Sequence, residues 1–247
     1  MNGDLLSGLR LDTHFQGVWV VGHGEPTLHY VECLSRGPES TSFRDASVLF
    51  EYARRKGQET ALDRLAIAFA LRRVPRPVGP RVAVNIHVAT LVRDPEILEF
   101  CVDLCREVGL APERLVFEVV ESLPTWPGSK LADALDHVRG LGIGLALDDF
   151  GTHHSNFELM LALRPNYLKI DRRLVQTCAT DSYRTRILAT LVELGRTLGV
   201  LLIAEGVERE EDLNRLEEVG IDLAQGYLLD RPSSQWPQAA LVSSAVG

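Results

Sequence analysis

Beyond residue 80 the chain repeats one pattern, a short apolar run that ends on a polar residue and gives way to a helical stretch. Val-Ala-Val-Asn-Ile-His at 82–87 leads to a helix opened by Asp94-Pro95-Glu96, with Asp94 as N-cap and proline in the first turn. Leu-Val-Phe-Glu-Val-Val-Glu at 115–121 leads to a helix from about Ser129 to Val138, stopped near Gly140. The run from Ile143 precedes a short helix near 155–163. Tyr-Leu-Lys-Ile-Asp at 167–171 precedes a helix over 182–198, with Ile187, Leu188, Leu191, Leu194 and Leu198 on one side. Leu-Leu-Ile-Ala-Glu at 201–205 precedes a helix ending near Gly220, and a last short strand ends at Gln225-Gly226-Tyr227. A C-terminal helix is expected over about 235–243. Ahead of this series, extended stretches at 16–22 and 28–35 lie too close together for a crossover and make an antiparallel hairpin. Helices over 45–56 and 59–73 follow, then the stiff loop Val-Pro-Arg-Pro-Val-Gly-Pro, whose flanking Arg72, Arg73, Arg76 and Arg81 read as a solvated face. Eight strands alternating with helices predict an α/β fold, a TIM-like (β/α)8 barrel whose first strand runs antiparallel to the rest. One domain over 1–247 is expected, with its core at about 15–232.

The run Ile143-Gly-Leu-Ala-Leu-Asp-Asp-Phe-Gly-Thr152 carries two adjacent acids at its tip. Asp148 and Asp149 would repel each other by about 4 kcal/mol at 4 Å and an effective dielectric near 20, so a positive group belongs between them. A turn at Gly151 is expected to let both side chains leave the strand. Two solvated aspartates at a strand end would explain this pair taken alone. The same end of nearly every other strand is polar too: Glu32, Asn85, Glu118, Lys169, Glu205 and Gln225. Packing would favour branched aliphatic residues there, whereas barrel enzymes place their chemistry at that end. Carboxylates and one amide oxygen, without histidine or cysteine, suit hard cations, Mg²⁺ or Mn²⁺. Two such ions can hold a phosphodiester and generate a hydroxide, with Asp148 central enough to bridge them. Lys169 can steady the transition state, or simply pair with a nearby acid.

A formal net charge of −8 argues against a general nucleic-acid surface and requires cations to mediate binding of an anionic substrate. No signal peptide is expected at the N-terminus, and no apolar run approaches the ~18 residues that cross a bilayer. Cys33, Cys101, Cys105 and Cys178 form no disulfide framework and read as core residues of a protein in reducing cytoplasm.

From about Phe15 to Pro232 the chain resembles the EAL family of bacterial cyclic di-GMP phosphodiesterases. The naming motif, Glu-Ala-Leu-x-Arg, stands here as Glu32-Cys33-Leu34-Ser35-Arg36. The family's Val-Asn-x-Ser is Val84-Asn85-Ile86-His87, and its Glu-x-x-Glu is Glu118-Val119-Val120-Glu121. Its Asp-Asp-Phe-Gly-Thr, Lys-Ile-Asp, Ala-Glu-Gly-Val-Glu and Gln-Gly-Tyr are unchanged at 148–152, 169–171, 204–208 and 225–227. The resemblance implies that Glu32, Asn85, Glu118 and Asp148 hold one metal, and Asp148, Asp149 and Glu205 the second. It implies that Lys169 contacts the nucleophilic water, that Glu208 and Gln225 support the site, and that Leu34 and Arg36 meet the substrate, Arg36 gripping a phosphate. Glu121 would steady the loop after the two aspartates. Hydrolysis of cyclic di-GMP to the linear dinucleotide and a homodimer are implied as well. A catalytically silent cyclic di-GMP receptor is the alternative, and an interaction module that binds no nucleotide fits an intact set of acids worst. Three departures stand out. Cys33 replaces alanine, Gln16-Gly17 replaces Gln-Pro, and His153-His154-Ser155-Asn156 replaces Gly-Tyr-Ser-Ser. The histidines are expected to slow the enzyme without silencing it.

Overall fold

A computed structural model describes residues 6, 8–22, 24–77, 79–120, 128–151 and 156–238. Its strands are β1 (Asp12–Val20), β2 (Thr27–Arg36), β3 (Arg81–His87), β4 (Leu115–Val120), β5 (Gly144–Phe150), β6 (Tyr167–Ile170), β7 (Leu201–Ala204) and β8 (Leu223–Ala224). They follow one another in sequence order as a closed barrel, with β1 antiparallel to β2 and to β8, as the opening hairpin requires. The helices are α1 (Ala46–Arg55), α2 (Glu59–Arg73), α3 (Val88–Arg93), α4 (Ile97–Val108), α5 (Ser129–Gly140), α6 (Asn156–Leu163), α7 (Arg172–Val175), α8 (Ser182–Leu198) and α9 (Glu210–Val219). No described helix is long and apolar enough to cross a membrane.

The chain parts into two compact units, residues 1–15 with 33–144 and residues 16–32 with 145–247, and the boundaries fall inside β1, β2 and β5. In the first unit, β3 and β4 run parallel in continuous register from Val82↔Leu115 to His87↔Val120. Both are largely buried and apolar, with α2 packed on β3 and against α4. Cys101 and Cys105 are fully buried on α4, as expected, and burial pushes the Cys105 thiol up to about 11 and Cys101 higher still. In the second unit, β5 to β8 are parallel neighbours in order, and β1 closes against β8 through Trp19↔Ala224 and Val20↔Leu223.

Four expectations change. The helix after β3 begins at Ile97 with Glu96 as its cap, and Asp94 instead ends α3. Asp94 is drawn away from a cap role by Arg64, whose guanidinium takes both of its carboxylate oxygens, although Oδ1 still accepts the Glu96 N–H at 3.2 Å. The short helices α3, of six residues, and α7, of four, were not legible as helices. The buried face of α8 centres on Leu188, Val192 and Gly195, leaving Leu198 exposed. Residues 235–238 are not helical, and 239–243 lie outside the described residues.

Candidate metal and catalytic site

The two aspartates leave β5 together because the strand is bulged, and the turn starts before Gly151. Leu147 pairs with Leu168 and Phe150 with Ile170, so Asp148 and Asp149 stand opposite the single residue Lys169. Asp149 takes a φ of +53°, a left-handed conformation that aspartate tolerates better than most residues. One carboxylate oxygen from each of Asp148, Asp149 and Glu205 then lies within 4.8 Å of the others.

The positive group that the paired acids call for is Lys169. Its side chain is 2% exposed, and its Nζ lies 2.9 Å from Glu205 Oε1, 3.1 Å from Asp148 Oδ1 and 3.4 Å from Glu32 Oε2. Three carboxylates therefore share one ammonium. Glu205 registers the imbalance: burial is the largest cause that pushes its carboxyl up to about 8, Lys169 pulls it down, and Asp148 and Glu32 push it up again.

Gln225 stands beside Glu32 because two loops interlock. The Val207 N–H donates to the Gln225 carbonyl at 3.1 Å and the Leu228 N–H to the Val207 carbonyl at 3.0 Å. A Cβ at Gly226 would fall 2.2 Å from the Val207 backbone, so only glycine lets the two chains come this close. The Gln225 side chain is buried, and its Nε2 donates to Glu32 Oε2 at 2.7 Å and to Gln16 Oε1 at 3.2 Å. Its Oε1 has no hydrogen-bond partner among the described residues.

In the other unit, Asn85 and Glu118 are register partners on β3 and β4, so their side chains leave the same face of the sheet. Glu118 is fully buried and Asn85 partly so. Leu34 and Arg36 are half-buried at the end of β2, and Arg36 donates to the Ser35 carbonyl at 2.9 Å. Glu208 is exposed and accepts from Gln176 at 3.3 Å. Glu121, His153 and His154 lie outside the described residues. Gln16, Gly17 and Asp230 were missed as part of this region. The glycine standing where the family motif has proline was the one available signal.

The residues present fit hard divalent cations. The donors are all oxygens, their surplus charge is negative, and the buried Gln225 Oε1 can accept from water held on a cation.

A family model for the EAL domain matches residues 4–232. The cyclic di-GMP phosphodiesterase RocR of Pseudomonas aeruginosa is 34% identical over 169 residues, which cover 68% of this chain and 42% of that protein. The probable cyclic di-GMP phosphodiesterase PdeG of Escherichia coli is 28% identical over 219 residues, covering 86% of this chain and 43% of the relative. The chain thus spans less than half the length of these two relatives. Among solved structures, the calcium and cyclic di-GMP complex of Klebsiella pneumoniae BlrP1 superposes with a TM-score of 0.81 at 27% identity, covering 97% of this chain and 61% of that one. The cyclic di-GMP complex of the PaMucR phosphodiesterase gives 0.77 at 27% identity, covering 90% and 92%.

Proposed function

The chain belongs to the EAL domain family, and from that premise we propose that it hydrolyses cyclic di-GMP to the linear dinucleotide pGpG with two divalent cations, Mg²⁺ or Mn²⁺. The observation that carries this reading is the convergence of Asp148, Asp149 and Glu205 beside a single buried lysine. We assign Asp148, Asp149 and Glu205 to one cation. Glu32, Asn85, Glu118 and Asp148 are assigned to the other on the strength of the motifs. Bound there, the cations would neutralise the phosphate and supply a hydroxide at neutral pH for in-line attack.

The chain's own residues have separate tasks. Lys169 holds Asp148 and Glu205 at 3.1 and 2.9 Å and is the group to orient the attacking water. Gln225 fixes Glu32. Arg36 pairs with a substrate phosphate and Leu34 lies against the substrate. Glu208 steadies the loop after β7 through Gln176, and Glu121 the loop after β5. A homodimer is proposed through α6, where Phe157 and Leu161, one turn apart, are 58% and 72% exposed. Four buried cysteines, none of them in a disulfide, support a reducing compartment, the cytoplasm.

Purified protein incubated with cyclic di-GMP and Mn²⁺, with products separated by chromatography, tests the reading. The linear dinucleotide should form, and excess chelator should abolish it. Binding without turnover would instead mark a receptor, and neither binding nor turnover would refute the proposal.

A further inference from the structure

The departure at Gly17 is matched by a partner on the far side of the sequence. The Gly17 N–H donates to Asp230 Oδ2 at 3.0 Å, which a proline could not do, and Trp19 Nε1 donates to Asp230 Oδ1 at 3.3 Å. A Cβ at residue 17 would meet the Trp19 indole at 2.5 Å, so glycine also makes room for that ring. The Asp230 N–H donates to the Gly226 carbonyl at 3.0 Å, so the segment is held from both sides.

From this clamped segment a chain of hydrogen bonds runs to Glu32. The Asp230 carbonyl faces the Gln16 side-chain amide at 3.1 Å. A carbonyl can only accept, so Gln16 must present its NH₂ there and its Oε1 on the other side. That oxygen can only accept in turn, so Gln225 must present Nε2 to it, at 3.2 Å. The same nitrogen then donates to Glu32 Oε2 at 2.7 Å. Reversing either amide would set oxygen against oxygen. A fixed backbone acceptor at Asp230 thus dictates the orientation of two buried amides and, through them, the facing of one carboxylate.

We propose that Gln16 and Asp230 are positioning residues that orient the Glu32 carboxylate for its cation, with Asp230 as the anchor that replaces the rigidity of a proline at position 17. The proposal rests on the reading of Glu32 as a cation ligand. Gln16→Leu keeps the bulk but releases the Gln225 amide, whereas Asp230→Ala frees the segment and leaves its carbonyl in place.

The test is Mn²⁺ binding by the wild type, Gln16→Leu and Asp230→Ala, read from the electron paramagnetic resonance of free Mn²⁺, together with kcat and KM across Mn²⁺ concentrations. Gln16→Leu should weaken Mn²⁺ binding roughly 10-fold, in the range for residues that orient metal ligands. Its kcat should return when Mn²⁺ is raised by about the same factor, and KM for cyclic di-GMP should stay within about twofold of wild type. Asp230→Ala should shift Mn²⁺ binding in the same direction by roughly threefold, and it decides the question if Gln16→Leu does not fold. Unchanged Mn²⁺ binding in the variants of a wild type that binds and hydrolyses overturns the relay alone. A loss of kcat that excess Mn²⁺ does not restore overturns it too. A wild type that neither binds Mn²⁺ nor hydrolyses overturns the relay and the functional reading together.

Discussion

Two acidic clusters among the described residues, one in each unit, differ in their partners. On α2, Glu59 and Asp63 are buried against His87 at the end of β3. Asp63 Oδ1 lies 2.9 Å from His87 Nδ1, while Oδ2 accepts the His87 backbone N–H at 3.0 Å and the Thr90 hydroxyl at 2.5 Å. Glu59 stands 4.0 Å from His87 Nε2, and the Phe50 ring covers the imidazole at 5.0 Å. Burial disfavours charge on His87, yet Asp63 and Glu59 together hold its pKa above the usual value, and burial raises that of Glu59. This cluster closes on itself. The second sets Glu32, Asp148 and Glu205 within 3.4 Å of the one ammonium of Lys169, with an Asp149 oxygen beside those of Asp148 and Glu205 and one Gln225 acceptor left over. Buried acids therefore do not mark a functional site by themselves. The mark is a convergence of carboxylates that outnumber the one ammonium among them.

Substitutions should separate the two clusters. Glu32→Ala should lower turnover by roughly 10³-fold or more, as removal of a reacting-site group commonly does, while leaving the melting temperature near the wild-type value. Hydrolysis at the wild-type rate would show that the site is assigned wrongly. Asp63→Ala should instead cost about 3–5 kcal/mol of stability, because His87 and Thr90 lose their buried acceptor. Urea unfolding measures this, and a loss below about 1 kcal/mol would mean that the first cluster is not closed.

Gly17→Pro restores the family's residue yet should destabilise the chain by about 2–3 kcal/mol, since the Asp230 carboxylate loses a donor and the new ring meets Trp19. A variant as stable as wild type would show that Asp230 is not matched to Gly17. The smallest effect has the opposite sign. Asp149→Asn in chelator should raise the melting temperature by about 1–3 °C, because one surplus charge goes and asparagine suits φ +53° at least as well. Turnover should fall in the same variant. A lower melting temperature would count against surplus charge as the distinguishing feature of the second cluster.

The alternation of apolar runs with helices was enough to read the eight strands, because each run is bounded by glycine, proline or a cap. The site acids were legible for a related reason, since a polar residue at a strand end is costly without a task. The bulge was not legible. It is a property of the pairing between β5 and β6, and sequence alone offered Gly151 as the only visible turn. His87 was visible only as a departure from the family's serine, since the two acids that accommodate it lie on α2, more than 20 residues upstream. Asp94 misled because its strongest partner, Arg64, is equally remote in sequence. Likewise α3 and α7 are too short to show a helical period.

The most direct measurement of the central claim is the melting temperature of metal-free protein as Mn²⁺ is added, with the number of ions bound per chain determined alongside by calorimetry. A ligand that binds only the folded state raises stability by RT ln(1 + [L]/Kd), about 2.7 kcal/mol at a hundredfold excess over Kd. The over-acidic cluster should therefore make the melting temperature climb steadily with the logarithm of Mn²⁺ concentration, with two ions bound at saturation. A melting temperature unmoved by millimolar Mn²⁺, with no heat of binding, would contradict a site built for divalent cations.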